Sequence, residues 1–391
     1  MSAAGMPPRR HDVIIVGGGP VGASLALALG SSGLDVLTMD SRSPDTLPSD
    51  TRTLALSWGS RLILERIGVW PHCAPHTAIS TIHVSQRGGF GRAVLDAREV
   101  DLPALGYVIG YASLHRALAG RLHETGAAVL YPATVSAINT ADSAIAVQFT
   151  RGGKEEEVMA GLLVIADGGS NLGIQAGARV HARDYQQIAV IANVGIATAH
   201  RNRAFERFTP DGPVALLPHG REYALVWTTK PEQARALLQL DDAQFLQRLQ
   251  QHFGDRAGRF TTASARASFP LSLRIARSPA LDRVLLLGNA AQTLHPIAGQ
   301  GFNLGLRDAW TLAEVIHRRQ AAPADLSAVA AAYRRARRPD RIAGIGMTDA
   351  LATVFSNDLV PLRVARGMGL ALLDLLPPAK RLLMQRMIFG S

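Results

Sequence analysis

Cysteine is almost missing from this chain: Cys73 stands alone among 391 residues. A single thiol excludes a disulfide framework, a cysteine-based metal site and disulfide-reductase chemistry, and it fits a reducing cytoplasm. No metal is expected. Long apolar runs are missing too. No window of about eighteen apolar residues lacks charge, so no transmembrane helix is expected. The run at 13–16 is too short for a secretory signal, and Arg9-Arg10 resembles a twin-arginine start only superficially. Aromatic residues make up 5% of the chain, without aromatic–basic interleaving or zinc-finger spacing. Nucleic acid is therefore not an expected partner, despite a formal net charge of +10. The densest basic cluster, YRRARRPDR at 333–341, reads as a solvated helix face.

What the chain does have is glycine in telling places. Asp12 to Val16 reads as a short buried strand that feeds GGGPVG at 17–22. Gly17, Gly19 and Gly22 fit G-x-G-x-x-G. The first permits a tight turn, the second lets a pyrophosphate approach the backbone, and the third lets helix and strand pack closely. A small-residue helix, Ala23 to Leu29, and a second strand, Leu34 to Met39, follow. That strand ends at Asp40, eighteen positions after Gly22, where a carboxylate can accept hydrogen bonds from an adenosine ribose. Together these point to a dinucleotide site.

Two later stretches carry related signals. In LLVIADGGSN (162–171) an apolar strand ends at Asp167-Gly168, placing a carboxylate and N–H groups where a pyrophosphate or ribitol would lie. In GNAAQTLHPIAGQGFNLGLRD (288–308) a Gly-rich loop follows the apolar run Val284 to Leu287 and opens into a helical pattern near Asn303. Such a loop aims N–H groups and a positive helix end at one point, which suits an electron-rich ring oxygen or a reduced, anionic flavin. Between these stretches the strand-like runs Gln187–Gly195, Ala204–Phe208, Val214–Leu217, Tyr223–Thr228 and Ser264–Phe269 predict a mostly antiparallel sheet, interrupted by a helix over Asp242–Phe253. With 47% hydrophobic residues the chain suits two closely joined domains.

In this order, the N-terminal glycine fingerprint, ADG and G-N-A-A…H-P…G-Q-G-F-N resemble the class A flavin-dependent aromatic hydroxylases. The resemblance is nearest to their ubiquinone-biosynthesis branch that acts on 2-polyprenyl-6-methoxyphenol. RTLALSWGSRLILERIGVW (52–70), IANVGIATAHRNRAFERFTPDGPVALLP (191–218) and TLHPIAGQGFNLGLRD (293–308) carry it, and so do Asn289 and Gln292 where most members have Asp and His. The resemblance implies an α/β fold like that of para-hydroxybenzoate hydroxylase: a Rossmann-like FAD-binding domain, an inserted mostly antiparallel substrate sheet and C-terminal helices. The implied division is FAD-binding parts at 11–75, 106–182 and 276–340, a substrate-side insertion at 76–105, a substrate-binding sheet at 183–275 and a helical segment at 341–391.

By the same resemblance, Gly17, Gly19, Gly22 and Asp40 hold the ADP half of FAD. Arg52 lies near the pyrophosphate and flavin. Asp167 and Asn289 face the ribitol or pyrophosphate, and Gly299, Gln300, Gly301, Phe302 and Asn303 present N–H groups to the flavin. Pro296 borders the flavin ring. His295 shapes the loop or hydrogen-bonds within it rather than shuttling protons, and no general base is named. Trp227, Phe269, Pro270 and Phe302 are candidate pocket walls. Asn171 and Ile174 replace the serine and arginine that usually follow ADG, and Tyr111 stands where relatives often have Arg or Gln. Without a second glycine fingerprint, NAD(P)H would bind transiently across a groove.

The implied chemistry is reduction of FAD by NAD(P)H, addition of O2 at C4a, and oxygen transfer from the hydroperoxide to a polyprenylated phenol. The competing readings are hydroxylation at another ring position or of a soluble aromatic, and a non-enzymatic FAD-bound scaffold. Isolated tryptophans, with no W-x-W, argue against a halogenase. The segment 359–391 combines Leu, Met and Ile with Arg363, Arg366, Lys380, Arg381 and Arg386. It reads either as a lipid-facing amphipathic surface or as a helix pair packed on the body. The expected localisation is cytoplasmic, with peripheral contact to the inner membrane face and to other ubiquinone-biosynthesis proteins.

Overall fold

The computed structural model describes residues 8–43, 52–140, 145–169, 171–277, 283–319, 326–355 and 359–390. Ser170 of the ADGGSN stretch lies outside them. The strand Arg10–Val16 is buried from Val13 to Val16, as suits a central parallel strand covered on both faces. It lies between Val36–Met39 and Lys154–Ile165, both parallel to it, and Val284–Leu286 extends the parallel set on the far side of Lys154–Ile165. The register aligns Met39, Val16, Ile165 and Leu286 in one cross-strand row. Asp40, Gly17, Ala166 and Leu287 follow that row, so all three glycine-bearing stretches leave the sheet at the same carboxyl edge, where open α/β sheets bind ligands. Ile145–Arg151 and Thr134–Thr140 complete the other side antiparallel, and Val129–Leu130 closes the edge beside Val36–Met39.

A nine-stranded sheet forms the second layer. Its order is Gln292–Thr293, Ala267–Arg277, Arg179–Ile196, Glu222–Thr229, Gly212–His219, Arg203–Thr209, Thr81–Gln86 and Arg92–Asp96, with Phe260–Ala263 paired to Arg179–Ile196. All pairs are antiparallel except Arg203–Thr209 with Thr81–Gln86. The helix Asp242–Phe253 begins where Asp241 accepts the Gln244 N–H at 2.7 Å. It buries Phe245, Leu249 and Phe253, one per turn, against the sheet. Two elements exceed the sequence expectation. The strand begins at Arg179, since its first half is exposed and lacks apolar runs, and a second helix spans Pro231–Gln239.

The C-terminal helices Val360–Leu375 and Pro377–Phe389 pack on this body. Ser57 Oγ donates to the Ile388 carbonyl at 2.9 Å and the Val94 N–H donates to Asp374 at 3.0 Å. Two expected lipid-facing cations are turned inward. Lys380 is buried, 3.0 Å from Glu99 and 3.3 Å from Asp374, and buried Arg366 donates to the Val354 carbonyl. Burial without a partner would be too costly for either charge. Helix Val360–Leu375 nevertheless leaves Val360, Val364, Met368 and Leu372, spaced four apart, exposed on its outer side. The basic cluster at 333–341 also departs from a solvated face. Arg335 and Arg338 are exposed, but Arg337 is buried within helix Leu326–Phe355 and holds Asp308 through Nε at 2.8 Å.

Candidate active site

Gly17, with φ +106°, brings the first loop so close to the neighbouring strand that a Cβ there would sit 2.4 Å from the Ala166 carbonyl oxygen. A Cβ on Gly22 would lie 1.9 Å from the Gly17 carbonyl oxygen, so the helix Pro20–Ala28 can start only with glycine at that position. At Gly19 the nearest atom is 3.8 Å away, on Arg42, which leaves the loop backbone open to a phosphate-sized group. Asp40 is buried and accepts the Gly18 N–H at 2.7 Å. Arg42 donates to it from its main chain at 2.8 Å and from its guanidinium at 3.1 and 2.9 Å. Burial alone would raise the Asp40 carboxyl, but the Arg42 bonds and charge outweigh it and hold the group below its ordinary value. Asp40 is therefore an anion held in place by the Gly18 N–H and by Arg42. Arg42 went unassigned in the sequence, where nothing but its nearness to Asp40 marks it.

These loops surround a cavity of about 660 Å³. Of the residues expected to hold a cofactor, Gly17, Gly19, Asp40, Arg52, Asp167, Asn289, Gly301 and Phe302 line it. The Arg52 guanidinium lies 5.6 Å from the Tyr111 ring centre and 5.4 Å from that of Phe269. Asp167 accepts the Gly169 N–H at 2.9 Å, which fixes the turn after the strand. Asn289 and Gln292 have separate tasks. Asn289 faces the cavity, whereas buried Gln292 donates to Asp308 at 2.8 Å.

A second cavity of about 430 Å³ adjoins the first, and Thr53, Leu54, Gly301 and Phe302 line both. Gly299, Gln300 and Asn303 border this second cavity, as do His295 and Pro296. His295 is fully buried; it lies 3.2 Å from Gln187 Oε1 and its Nδ1 accepts the Ile297 N–H at 3.3 Å. Burial pulls its pKa down to about 4, so the ring stays neutral and fixes the loop. The helix Gln300–Arg319 starts directly after this loop, which sets its positive N-terminal end beside Gly301 and Phe302. Three expected walls fall elsewhere. Trp227 is buried on the opposite face of its strand from cavity-lining Val226, packed 6.1 Å from Phe245 and 4.7 Å from His252. Strand alternation decides this. Phe269 and Pro270 stand exposed on the strand Ala267–Arg277, and neither lines either cavity.

A Gly-rich cradle, an anionic strand end and a helix start meeting at an apolar chamber suit a dinucleotide whose ring reaches the junction. The family model for the FAD binding domain matches residues 10–340. The chain belongs to this family. It is similar to the ubiquinone hydroxylase UbiL of Rhodospirillum rubrum, with 34% identity covering 96% of this chain and 88% of that protein. The 3-demethoxyubiquinol 3-hydroxylase of Escherichia coli is also 34% identical, over 92% of this chain and 93% of its own. Human mitochondrial ubiquinone biosynthesis monooxygenase COQ6 is 28% identical, over 97% and 92%. Among solved structures, p-nitrophenol 4-monooxygenase PnpA from Pseudomonas putida superposes with a TM-score of 0.77 at 18% identity, covering 99% of this chain and all of that one. The fold expected from the sequence, a para-hydroxybenzoate-hydroxylase-like α/β architecture, is the fold observed. The chain is a class A, FAD-dependent aromatic hydroxylase of the ubiquinone-biosynthesis type, and FAD is its cofactor.

Proposed function

We propose that this hydroxylase acts on a polyprenylated phenol of ubiquinone biosynthesis, with NAD(P)H as reductant and O2 as oxidant. Bound FAD would take a hydride from NAD(P)H and activate O2. The residues named above then divide the work: the glycine loop, Asp40 and Arg52 seat the dinucleotide, and the loop from Gly299 to Asn303 holds its ring at the junction of the two cavities.

One observation favours the prenylated phenol over a soluble aromatic acid. The second cavity is walled by side chains such as Ile79, Leu95, Phe208, Leu217, Leu351 and Met387, and among the described residues no Lys or Arg lines it. A carboxylated ring would enter without a counter-charge, at a large desolvation cost. A phenol carrying a hydrocarbon tail meets a matching surface. The walls run on to Leu370, Leu373 and Leu383 of the C-terminal helices, whose outer side carries the exposed apolar stripe. That continuity supports delivery of a tailed substrate from a bilayer surface, with exposed Arg381 and Arg386 at the headgroups. Among the described residues no helix is long and apolar enough to cross a membrane.

The test is to add a short-chain prenylated methoxyphenol to FAD-loaded protein under air with NADH or NADPH. Expected is substrate-triggered oxidation of the reductant and a product heavier by one oxygen. Peroxide without product would reject this ring. A flavin that NAD(P)H cannot reduce would favour the scaffold reading.

A further inference from the structure

Among the described residues the wall of the second cavity contains one carboxylate. Glu206 sits in the middle of the strand Arg203–Thr209, and the register aligns Val84, Glu206, Ala215 and Val226 across four adjacent strands. All four line the cavity. Three are apolar, as the inner surface of a hydrocarbon-binding sheet should be, and the fourth is an acid. Glu206 is surrounded by protein, and the part of it that stays accessible is on the cavity side. Among the described residues no Lys, Arg or His is paired with it. Its cationic neighbours Arg203 and Arg207, and His83 opposite Phe205, occupy the other face of the sheet by strand alternation. A carboxyl kept in such a wall with no partner from its own protein is expensive to bury. A ligand group can supply the missing hydrogen bond.

We propose that Glu206 binds the phenolic hydroxyl of the substrate and takes its proton before oxygen is transferred. The proposal rests on the phenol reading above and adds the base that the sequence did not name. The phenol O–H bond breaks, a carboxylate oxygen of Glu206 gains the proton, and the electron pair stays on the phenolic oxygen. The ring becomes more electron-rich and so more reactive toward an electrophilic oxygen. The same proton returns to that oxygen when the product leaves, so the carboxylate is restored.

Among the described residues the only other titratable side chain lining the cavity is His295, which is neutral over the working range. Burial pushes the Glu206 carboxyl up to about 8. That lies between an ordinary carboxylate and a phenol of pKa about 10, where proton exchange between the two is effective. The ionised, accepting form accumulates as pH rises through that value, so hydroxylation should rise with it.

The test compares FAD-loaded wild type with Glu206→Gln and Glu206→Asp, using the short-chain prenylated methoxyphenol as probe. Two readouts are taken: the ultraviolet difference spectrum of bound phenol against phenolate, and the pH profile of product formation. In the wild type the bound probe should stay a phenol to higher pH than the free probe, because among the described residues the wall offers an anion and no cation, while product formation rises with the ionisation of Glu206. Glu206→Gln removes that neighbouring anion, so it should lower the midpoint at which the bound probe ionises, flatten the rise of product formation with pH and slow hydroxylation by roughly 10²–10⁴-fold. Glu206→Asp should restore part of both. The proposal is overturned if Glu206→Gln, with wild-type FAD content, keeps the wild-type ionisation midpoint and pH profile. It is also overturned if loss of rate comes without any change in either. A wild type whose bound-probe ionisation shifts on Glu206→Gln but which releases only peroxide would retain Glu206 as the phenol-binding base and reject the proposed substrate.

Discussion

Asn303 commits its whole side chain to the protein. Its Oδ1 accepts the Ser57 N–H at 2.8 Å and the Ser60 hydroxyl at 2.7 Å, while its Nδ2 donates to the carbonyls of Ala55 and Gly299 at 2.9 and 2.8 Å. It therefore ties the loop that ends at Asn303 to the strand Thr53–Ser57, and its side chain is fully used within the protein. Replacing it with alanine leaves buried donors and acceptors unsatisfied. Asn303→Ala should cost about 2–4 kcal/mol of stability and lower FAD occupancy, read by thermal denaturation and flavin content. An unchanged melting midpoint would refute this. Glu206 makes the opposite kind of contribution. Its folded pKa is raised from the ordinary 4.5 to about 8, so ligand-free stability is fullest below the ordinary value and is lost as pH rises through about 8. Glu206→Gln should remove that loss, leaving the variant more heat-stable than wild type at alkaline pH by up to a few kcal/mol. Equal melting curves across pH would count against an isolated carboxyl at this position.

At the scale of elements, the helix Gln300–Arg319 joins the Gly-rich loop before it to the helix Leu326–Phe355. Its buried Asp308 accepts from Gln292 at 2.8 Å, from the Gly288 N–H at 3.3 Å and from Arg337 Nε at 2.8 Å. Arg307 on the same helix pairs with Asp340 at 2.8 Å. Breaking one member of such a buried network leaves an uncompensated charge. Asp308→Asn should destabilise by about 3–5 kcal/mol and weaken FAD retention, because the Gly288 turn loses its anchor; urea unfolding with flavin release reads both. The helix Val360–Leu375 carries a different prediction. Changing Val364, Met368 and Leu372 to serine should abolish sedimentation with anionic liposomes and leave the melting midpoint within about 1 kcal/mol of wild type, since all three are exposed. Sedimentation that survives the triple change would remove the bilayer from the account.

At the scale of the molecule, the legible parts were those set by local chemistry. Gly17, Gly22 and Asp40 could be read because a tight turn, a close helix approach and a strand-end acid each need one residue type. The helix Asp242–Phe253 could be read to the residue because its cap and its apolar period agree. What escaped depends on which strands meet. Trp227 looked like a pocket wall and Glu206 like an ordinary strand residue until the register put Val226 and Glu206 on the cavity face and Trp227 behind it. Arg337 looked solvated until a second helix brought Asp308 to it. The product of this long-range assembly is a polar Gly-rich cavity beside an apolar one, with Gly301 and Phe302 shared between their walls, and the account stands on the use of that junction for oxygen transfer to a tailed phenol. The most direct measurement is turnover of the prenylated methoxyphenol by FAD-loaded enzyme under isotopically labelled dioxygen, with product read by mass spectrometry. The account predicts one labelled oxygen per product and one reductant consumed for each. A product without label, or reductant consumed with no product, would contradict it.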